Sequence, residues 1–309
     1  MKLENYRLNW DIILKKEVDF LSKKYPDIDI KNSYSSIISL LNENKIQSKI
    51  ILDRKEFIGY AYIMAPADKS DRLYADIGFI SPKKITEERV KIFFDWLIEI
   101  ASKNKKKLML NPIFNGNEIS DKAIAKYNFV TIVRKRMVLD LNTYKYQKLE
   151  EKYDTAGINN LNMLLYADAE YESFKYTSDK ILFSNKREDR IKSVEALFKG
   201  EYGEIISDAS IIINNKGRIS GGIISSRLGF DRSFIVSIFV KRAYRKQGMG
   251  KYLLLSALNR LKALSYNYVY LWVNSNNFAS KFYSDYGFTF EDYPEEVIYY
   301  IGQKHIKNI

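Results

Sequence analysis

Two glycines one residue apart, Gly248 and Gly250, stand in the stretch RKQGMGKYLLLSALNRL (245–261) between a basic cluster and a strongly apolar run. At a strand-to-helix junction, Gly-x-Gly lets backbone N–H groups approach an anion with no Cβ in the way, and the positive end of the helix adds attraction. A dinucleotide fingerprint would need a third glycine at 253, where Leu253 stands. A P-loop would need glycine at 245 and Ser or Thr at 252, where Arg245 and Tyr252 stand. Downstream, NNFASKFYSDYGF (276–288) carries a second candidate pair, Asn276 and Tyr283. Taken alone, Asn276 reads as a helix N-cap and Tyr283 as an amphipathic packing residue.

The rest of the composition narrows the chemistry. With no Cys and a single histidine, His305, thiol nucleophiles, disulfides, Ser-His-Asp triads and His or Cys metal clusters are excluded. Reactive groups must come from Tyr, Asp, Glu, Lys, Ser or the backbone, and no metal is expected. The net charge of +12 is dispersed, and its densest run, KNKKK at 103–107, reads as a solvated turn before a strand. An anionic small ligand is expected rather than nucleic acid. Glu4 and Asp11 interrupt the amino-terminal segment, and no apolar run reaches the ~18 residues of a membrane span, so a soluble cytoplasmic protein is expected.

The elements that position these residues occur twice. SKIILDRKEFIGYAYI from Ser48 and SIIINNKGRISGGIIS from Ser210 are hairpin signals, followed by apolar strands at 73–80 and 233–240. Helices follow at 86–102, with Thr86 as N-cap, and at 250–264, with Leu254, Ala257, Leu258, Leu261 and Leu264 on one face. Strands at 107–114 and 267–274, a shorter helix and a final extended segment close each half, the first ending VRKRMVLDL and the second EEVIYYIGQ. Residues 3–45 and 160–200 read mostly as helices, and the segment from Leu141 to Gly157 as the seam. The expectation is a mixed α/β unit present twice, in 309 residues that fit two domains of about 150 each.

With Val240, Tyr244, Arg245, Gly248 and Gly250 preceding Asn276, Ala279, Phe282, Tyr283, Gly287 and Phe288, the second half resembles the GCN5-related N-acetyltransferase (GNAT) family. The resemblance is carried most securely by residues 201–290. It implies tandem acyl-CoA N-acyltransferase domains: 1–145, a degenerate copy without the cofactor loop, and 146–309, the acetyltransferase. In such a domain the strands at 233–240 and 267–274 splay, and Ile238, Phe239 and Val240 supply backbone contacts to pantetheine. Arg245, Lys246, Gln247, Gly248, Met249, Gly250 and Lys251 hold the pyrophosphate of acetyl-CoA, and Asn276 and Tyr283 lie near the thioester. Acetyl then passes directly to a primary amine of a small molecule or peptide, with no covalent acyl-enzyme.

That chemistry needs a neutral amine, at a cost of ~4.6 kcal/mol at pH 7 for a lysine-like group, and a proton for the departing thiolate. Tyr283 is the expected proton donor. The family often places a Glu on the strand equivalent to 233–240, and SFIVSIFV has no carboxylate. Glu204, Asp208 and Asp231 are the acidic candidates for the base, beside a water chain through Ser237. Glu204 and Asp231 also read as a solvated strand position and a turn residue. In the first half, at an offset of 160, Gly248 becomes Glu88 and Gly250 becomes Val90, which would repel and block phosphate. That half is expected to cover the second and shape the acceptor pocket, with Asp76 or Tyr74 facing it. Rival readings are a tandem acyltransferase of the mycothiol synthase or aminoacyl-transferase type, or a non-catalytic acetyl-CoA-binding regulator.

Overall fold

Period-two apolar runs and helical stripes resolve into a mixed α/β fold. The computed structural model describes every residue except 1, 5–8, 27, 67–68, 160–161, 176, 275–278 and 303–309. The chain forms two compact units, one reaching Val133 and resuming at Glu296, the other Arg134–Glu295.

The first unit contains β1 (Lys2–Glu4), α1 (Trp10–Lys24), α2 (Ile30–Asn42), β2 (Gln47–Asp53), β3 (Glu56–Met64), β4 (Arg72–Phe79), α3 (Glu87–Lys103), β5 (Lys107–Leu110) and α4 (Glu118–Lys126). β6 (Val130–Asp140) then leads into the second unit, which continues with β7 (Asp154–Gly157), α5 (Met163–Phe174), α6 (Arg187–Phe198), β8 (Ile211–Asn215), β9 (Arg218–Arg227), β10 (Arg232–Val240), α7 (Met249–Ala263), β11 (Tyr268–Asn274), α8 (Ala279–Ser284) and β12 (Thr289–Phe290). The last strand, β13 (Glu296–Ile301), belongs to the first unit.

Element order and pairing repeat. β1 to β4 pair antiparallel in sequence and β4 runs parallel to β5, while β7 to β10 and β11 do the same. The sixth strand differs from the order of the sequence. Arg134–Asp140 of β6 pairs along all of β11, and β13 pairs with β5. Each sheet is thus closed by a strand that the expected halves, 1–145 and 146–309, assign elsewhere. Hydrophobic patterning finds a strand but does not say which sheet edge it joins.

Each sheet is covered on both faces. In the second unit Tyr166, Val194 and Leu197 of α5 and α6 pack on Ile212, Ile224 and Phe239, while Leu254, Ala257, Leu258 and Leu261 of α7 pack on Ile223, Ile235, Val269 and Leu271 of the other face. Leu264, expected on that stripe, is the C-cap of α7 and 44% exposed, because the helix ends before another turn brings it inward. In the first unit Trp10, Leu14 and Leu41 meet Tyr60 and Tyr62 on one face, and α3 covers the other through Phe93, Phe94 and Leu97. The expected strand 107–114 stops at Leu110, since Pro112 has no N–H for the ladder. The expected seam contains β7, and residues 3–45 begin in β1 rather than helix. Among the described residues no helix is long and apolar enough to cross a membrane.

Candidate active site

Among the described residues β10 and β11 pair over three positions, Arg232 with Tyr268, Ser233 with Val269 and Phe234 with Tyr270. Beyond them each strand keeps its outer partner: β9 continues along β10 to Val240, and β6 along β11 to Asn274. The inner edges part because β10 carries a bulge between Ile235 and Ser237, and a bulge bends its strand and increases local twist. The extra residue puts Val236 and Ser237 both toward α5 and α6, while Ile235 and Ile238 pack toward α7. Backbone groups of 235–240 that point away from β9 are left to whatever fills the gap.

The gap is a cavity of about 320 Å³. Its walls include Ile238, Phe239 and Val240 of β10, Leu271 to Asn274 of β11, Glu170 and Phe174 of α5, Asp179 and Phe183 of the following loop, Arg190 of α6, and Tyr283 of α8. The loop after β10 closes one end. Arg245 donates from Nε to the Val240 carbonyl at 3.0 Å and from Nη2 to the Ser173 carbonyl at 2.9 Å, so its guanidinium splints strand, loop and helix. Lys246 and Gly248 have φ of 61° and 85°. Tyr153 donates to the Gln247 carbonyl at 2.5 Å and packs edge-on against Tyr252, holding the loop from outside.

Gly248 is the N-cap of α7 and lends it no side-chain oxygen, so the first amides of the helix, at Met249, Gly250 and Lys251, have no intrahelical acceptor. A Cβ on Gly248 would stand 3.2 Å from the Tyr153 hydroxyl, in a backbone conformation that L side chains rarely adopt. The corresponding helix of the first unit is closed. Thr86 Oγ1 accepts from Arg89 N, and Glu87 and Glu88 occupy the first turn.

Tyr283 is buried against Phe282 and Phe288, with ring centroids 5.3 and 5.8 Å away. Burial, with the charge of Asp179 adding to it, pushes its phenol well above the ordinary 10. It therefore holds its proton throughout the physiological range. Asn276 lies outside the described residues.

The three candidate bases are not brought to the cavity. Asp231 sits in the β9–β10 turn, accepting Asn267 Nδ2 at 2.9 Å, about 30 Å along the strand from Val240. Glu204 is exposed beside Arg227, and Asp208 lies in an exposed turn before β8. The buried carboxylate in the cavity is instead Glu170, 1% exposed. Ser237 Oγ donates to Glu170 Oε1 at 2.5 Å and accepts from the Tyr166 hydroxyl at 2.8 Å. Arg190 Nε stands 2.7 Å from Glu170 Oε2, and its guanidinium lies 4.1 Å from the Phe183 ring centroid. Gly222 leaves the space Tyr166 needs, since a Cβ there would be 2.7 Å from its ring. The sequence did hold a signal for Glu170. Tyr166, Ala169, Glu170 and Ser173 recur at i, i+3, i+4 and i+7, a buried stripe with a carboxylate in it. Among the described residues, no group of three or more His, Asp or Glu could hold a metal ion.

Residues 195–298 match the family model for the acetyltransferase (GNAT) domain. No curated protein matches the sequence. Among solved structures the chain is similar to a GCN5-related N-acetyltransferase from Sphaerobacter thermophilus, at 13% identity and a TM-score of 0.56 over 83% of this chain and 81% of that one. It is also similar to the GCN5-related glucosamine N-acetyltransferase region of a fungal multi-domain GH3 β-N-acetylglucosaminidase, at 14% identity and 0.56 over 97% of this chain and 38% of that one. A functionally unknown conserved protein of Staphylococcus epidermidis ATCC 12228 follows, at 12% and 0.50 over 82% of this chain and 93% of that one. At such identities the likeness is one of fold.

Proposed function

We propose, from the match of residues 195–298 to the acetyltransferase (GNAT) domain model, that the second unit transfers acetyl from acetyl-CoA to a primary amine of a small molecule or peptide. The observation that carries this reading is the parting of β10 from β11 beside an uncapped helix N-terminus. The pieces fit an anionic head with an amide-bearing arm: backbone groups of 235–240 that face away from β9, amides of Met249 to Lys251 with no intrahelical acceptor, and a left-handed Gly248.

Acetyl-CoA, when bound, supplies an activated acyl thioester. In this reading Ile238, Phe239 and Val240 align the arm by strand-like hydrogen bonds. Lys246 to Lys251 hold the pyrophosphate through main-chain N–H groups, the side chain of Arg245 being tied to Val240 and Ser173. Backbone N–H groups of the bulged strand polarise the acyl carbonyl. Tyr283, which burial keeps protonated, gives its proton to the leaving sulfur. The absence of Cys agrees with direct transfer.

The first unit is proposed to be a second copy of the fold without a cofactor site. Support comes from β4 and the segment after β5, which stay joined where β10 and β11 part. The discriminating experiment is thermal unfolding with and without acetyl-CoA, followed by thiol release with polyamines, amino sugars, amino acids and peptides. Acetyl-CoA at 100 times its dissociation constant should stabilise by about 2.7 kcal/mol. No shift would end the reading, and binding without turnover on any amine would favour a regulator.

A further inference from the structure

Ser237 has one donor and two acceptor positions, and two of these three are committed. Its hydrogen goes to Glu170, and one lone pair receives the Tyr166 hydroxyl. Neither commitment is free to reverse. Glu170 is a carboxylate facing Arg190 and offers only acceptors, and Tyr166 is fully buried, with burial and the charge of Glu170 holding its phenol well above 10. Ser237, which lines the cavity at the bulge where the strands part, is therefore left with one lone pair for an occupant. It meets an N–H group as an acceptor.

Resting on the acetyl-transfer reading above, we propose that Ser237 Oγ accepts the proton lost by the attacking amine and that Glu170 receives the proton Ser237 gives up. The amine lone pair forms the N–C bond, and its N–H proton passes to Ser237 Oγ. The Ser237 hydroxyl proton moves along the existing 2.5 Å hydrogen bond to Glu170 Oε1. The C–S bond breaks, and the sulfur takes the phenolic proton of Tyr283. Solvent then removes the proton from Glu170 and restores that of Tyr283. Ser237 is the catalytic group, and Glu170 acts through it as a positioning residue and proton store. The carboxylate missing from β10 is thereby supplied from α5, one hydrogen bond behind the strand.

Charged and titratable groups around the relay are Arg190 on α6, Tyr166 on α5, Asp179 in the loop before α6, Arg134 on β6, Arg245 after β10 and Tyr283 on α8. Of these Asp179 is the rival proton acceptor.

The test uses the full chain as parent, Ser237→Ala, Glu170→Gln and Asp179→Asn. Acetyl-CoA affinity is measured by calorimetry, and thiol release with the best amine of the panel between pH 6 and 10. Ser237→Ala and Glu170→Gln should each lose about 10²-fold in kcat with acetyl-CoA affinity within about twofold of the parent. Both should show kcat still rising with pH where that of the parent has levelled, because their amine must lose its proton to solvent base. Parental kcat and pH profile in Ser237→Ala, or a loss confined to Asp179→Asn, overturns the relay. If Glu170→Gln does not fold, Ser237→Ala decides alone. A parent that fails to bind acetyl-CoA overturns the acetyl-transfer reading itself, an outcome distinct from normal binding and turnover with an unaffected Ser237→Ala.

Discussion

The backbone N–H of Phe114 donates to the carbonyl of Ile77 at 2.9 Å, holding the chain after β5 against β4 two residues beyond the last strand pair. Phe79 returns a bond to the Phe114 carbonyl at 3.2 Å. In the second unit β10 and β11 are paired, among the described residues, over Arg232–Phe234 and Tyr268–Tyr270, and a cavity lies beyond them. The same order of elements thus gives a closed seam in one unit and an open slot in the other.

A slot needs an anchor, and Gly248 supplies it. Gly248→Glu should abolish stabilisation by acetyl-CoA in thermal unfolding, because it adds a carboxylate at the first turn of α7 where the proposed phosphates approach. The protein itself should lose only about 1–2 kcal/mol, the cost of a side chain at positive φ. Gly248→Ala should pay that backbone cost while retaining part of the acetyl-CoA response. Equal responses in parent and Gly248→Glu would remove the loop from the binding site.

Tyr283→Phe keeps the packing against Phe282 and Phe288 and removes only the hydroxyl. Turnover should fall about 10²–10³-fold while acetyl-CoA affinity stays within about twofold. Because the phenol is held well above 10, an alkaline loss of activity below pH 10 should not come from Tyr283. Steady-state kinetics from pH 6 to 10 on parent and variant check both points, and unchanged turnover would take Tyr283 out of the chemistry.

Much of this was legible in the sequence where local physics decides. Thr86 does cap α3, and the β8–β9 hairpin and α7 follow from their periodicity. Other features depend on contacts distant in the chain. Glu170 reaches Ser237 across 67 positions, so no spacing rule finds the pair. The bulge that parts β10 from β11 inserts Val236 into a run, SFIVSIFV, whose composition is that of an unbroken strand. The closing strands β6 and β13 have the right pattern for either sheet, and only the observed register assigns them.

The first unit has a buried carboxylate of its own, Glu17 on α1, which accepts from the hydroxyls of Tyr34 and Tyr60. Among the described residues no cation is paired with it: burial, and then the charge of Asp76, raise its pKa to about 8. The folded protein therefore keeps a proton that the unfolded chain releases above about pH 4.5. Stability should fall as pH rises from about 4.5 to 8 and level off beyond, by roughly 5 kcal/mol in all. Glu17→Gln keeps an acceptor for the tyrosines and removes the titration, so its stability should vary less over that range and exceed the parent's at pH 9. Urea unfolding at several pH values measures this, and parallel curves for the two proteins would refute it.

Arg190 stands beside Glu170 as a counter-ion that Glu17 lacks among the described residues. Both partners are nearly inaccessible, so removing one strands a charge in the interior. Arg190→Leu should cost about 3–5 kcal/mol, well above the loss expected from its packing on Phe183. The double variant Arg190→Leu, Glu170→Gln should recover much of that, since a neutral amide in the same position no longer needs a counter-ion. A double-mutant cycle in urea should therefore show a coupling of at least about 1.5 kcal/mol. Strict additivity would mean that the 2.7 Å approach of the two groups contributes nothing to the stability of the second unit, and that Arg190 serves there as an aromatic-stacked side chain rather than as the counter-ion of the relay carboxylate.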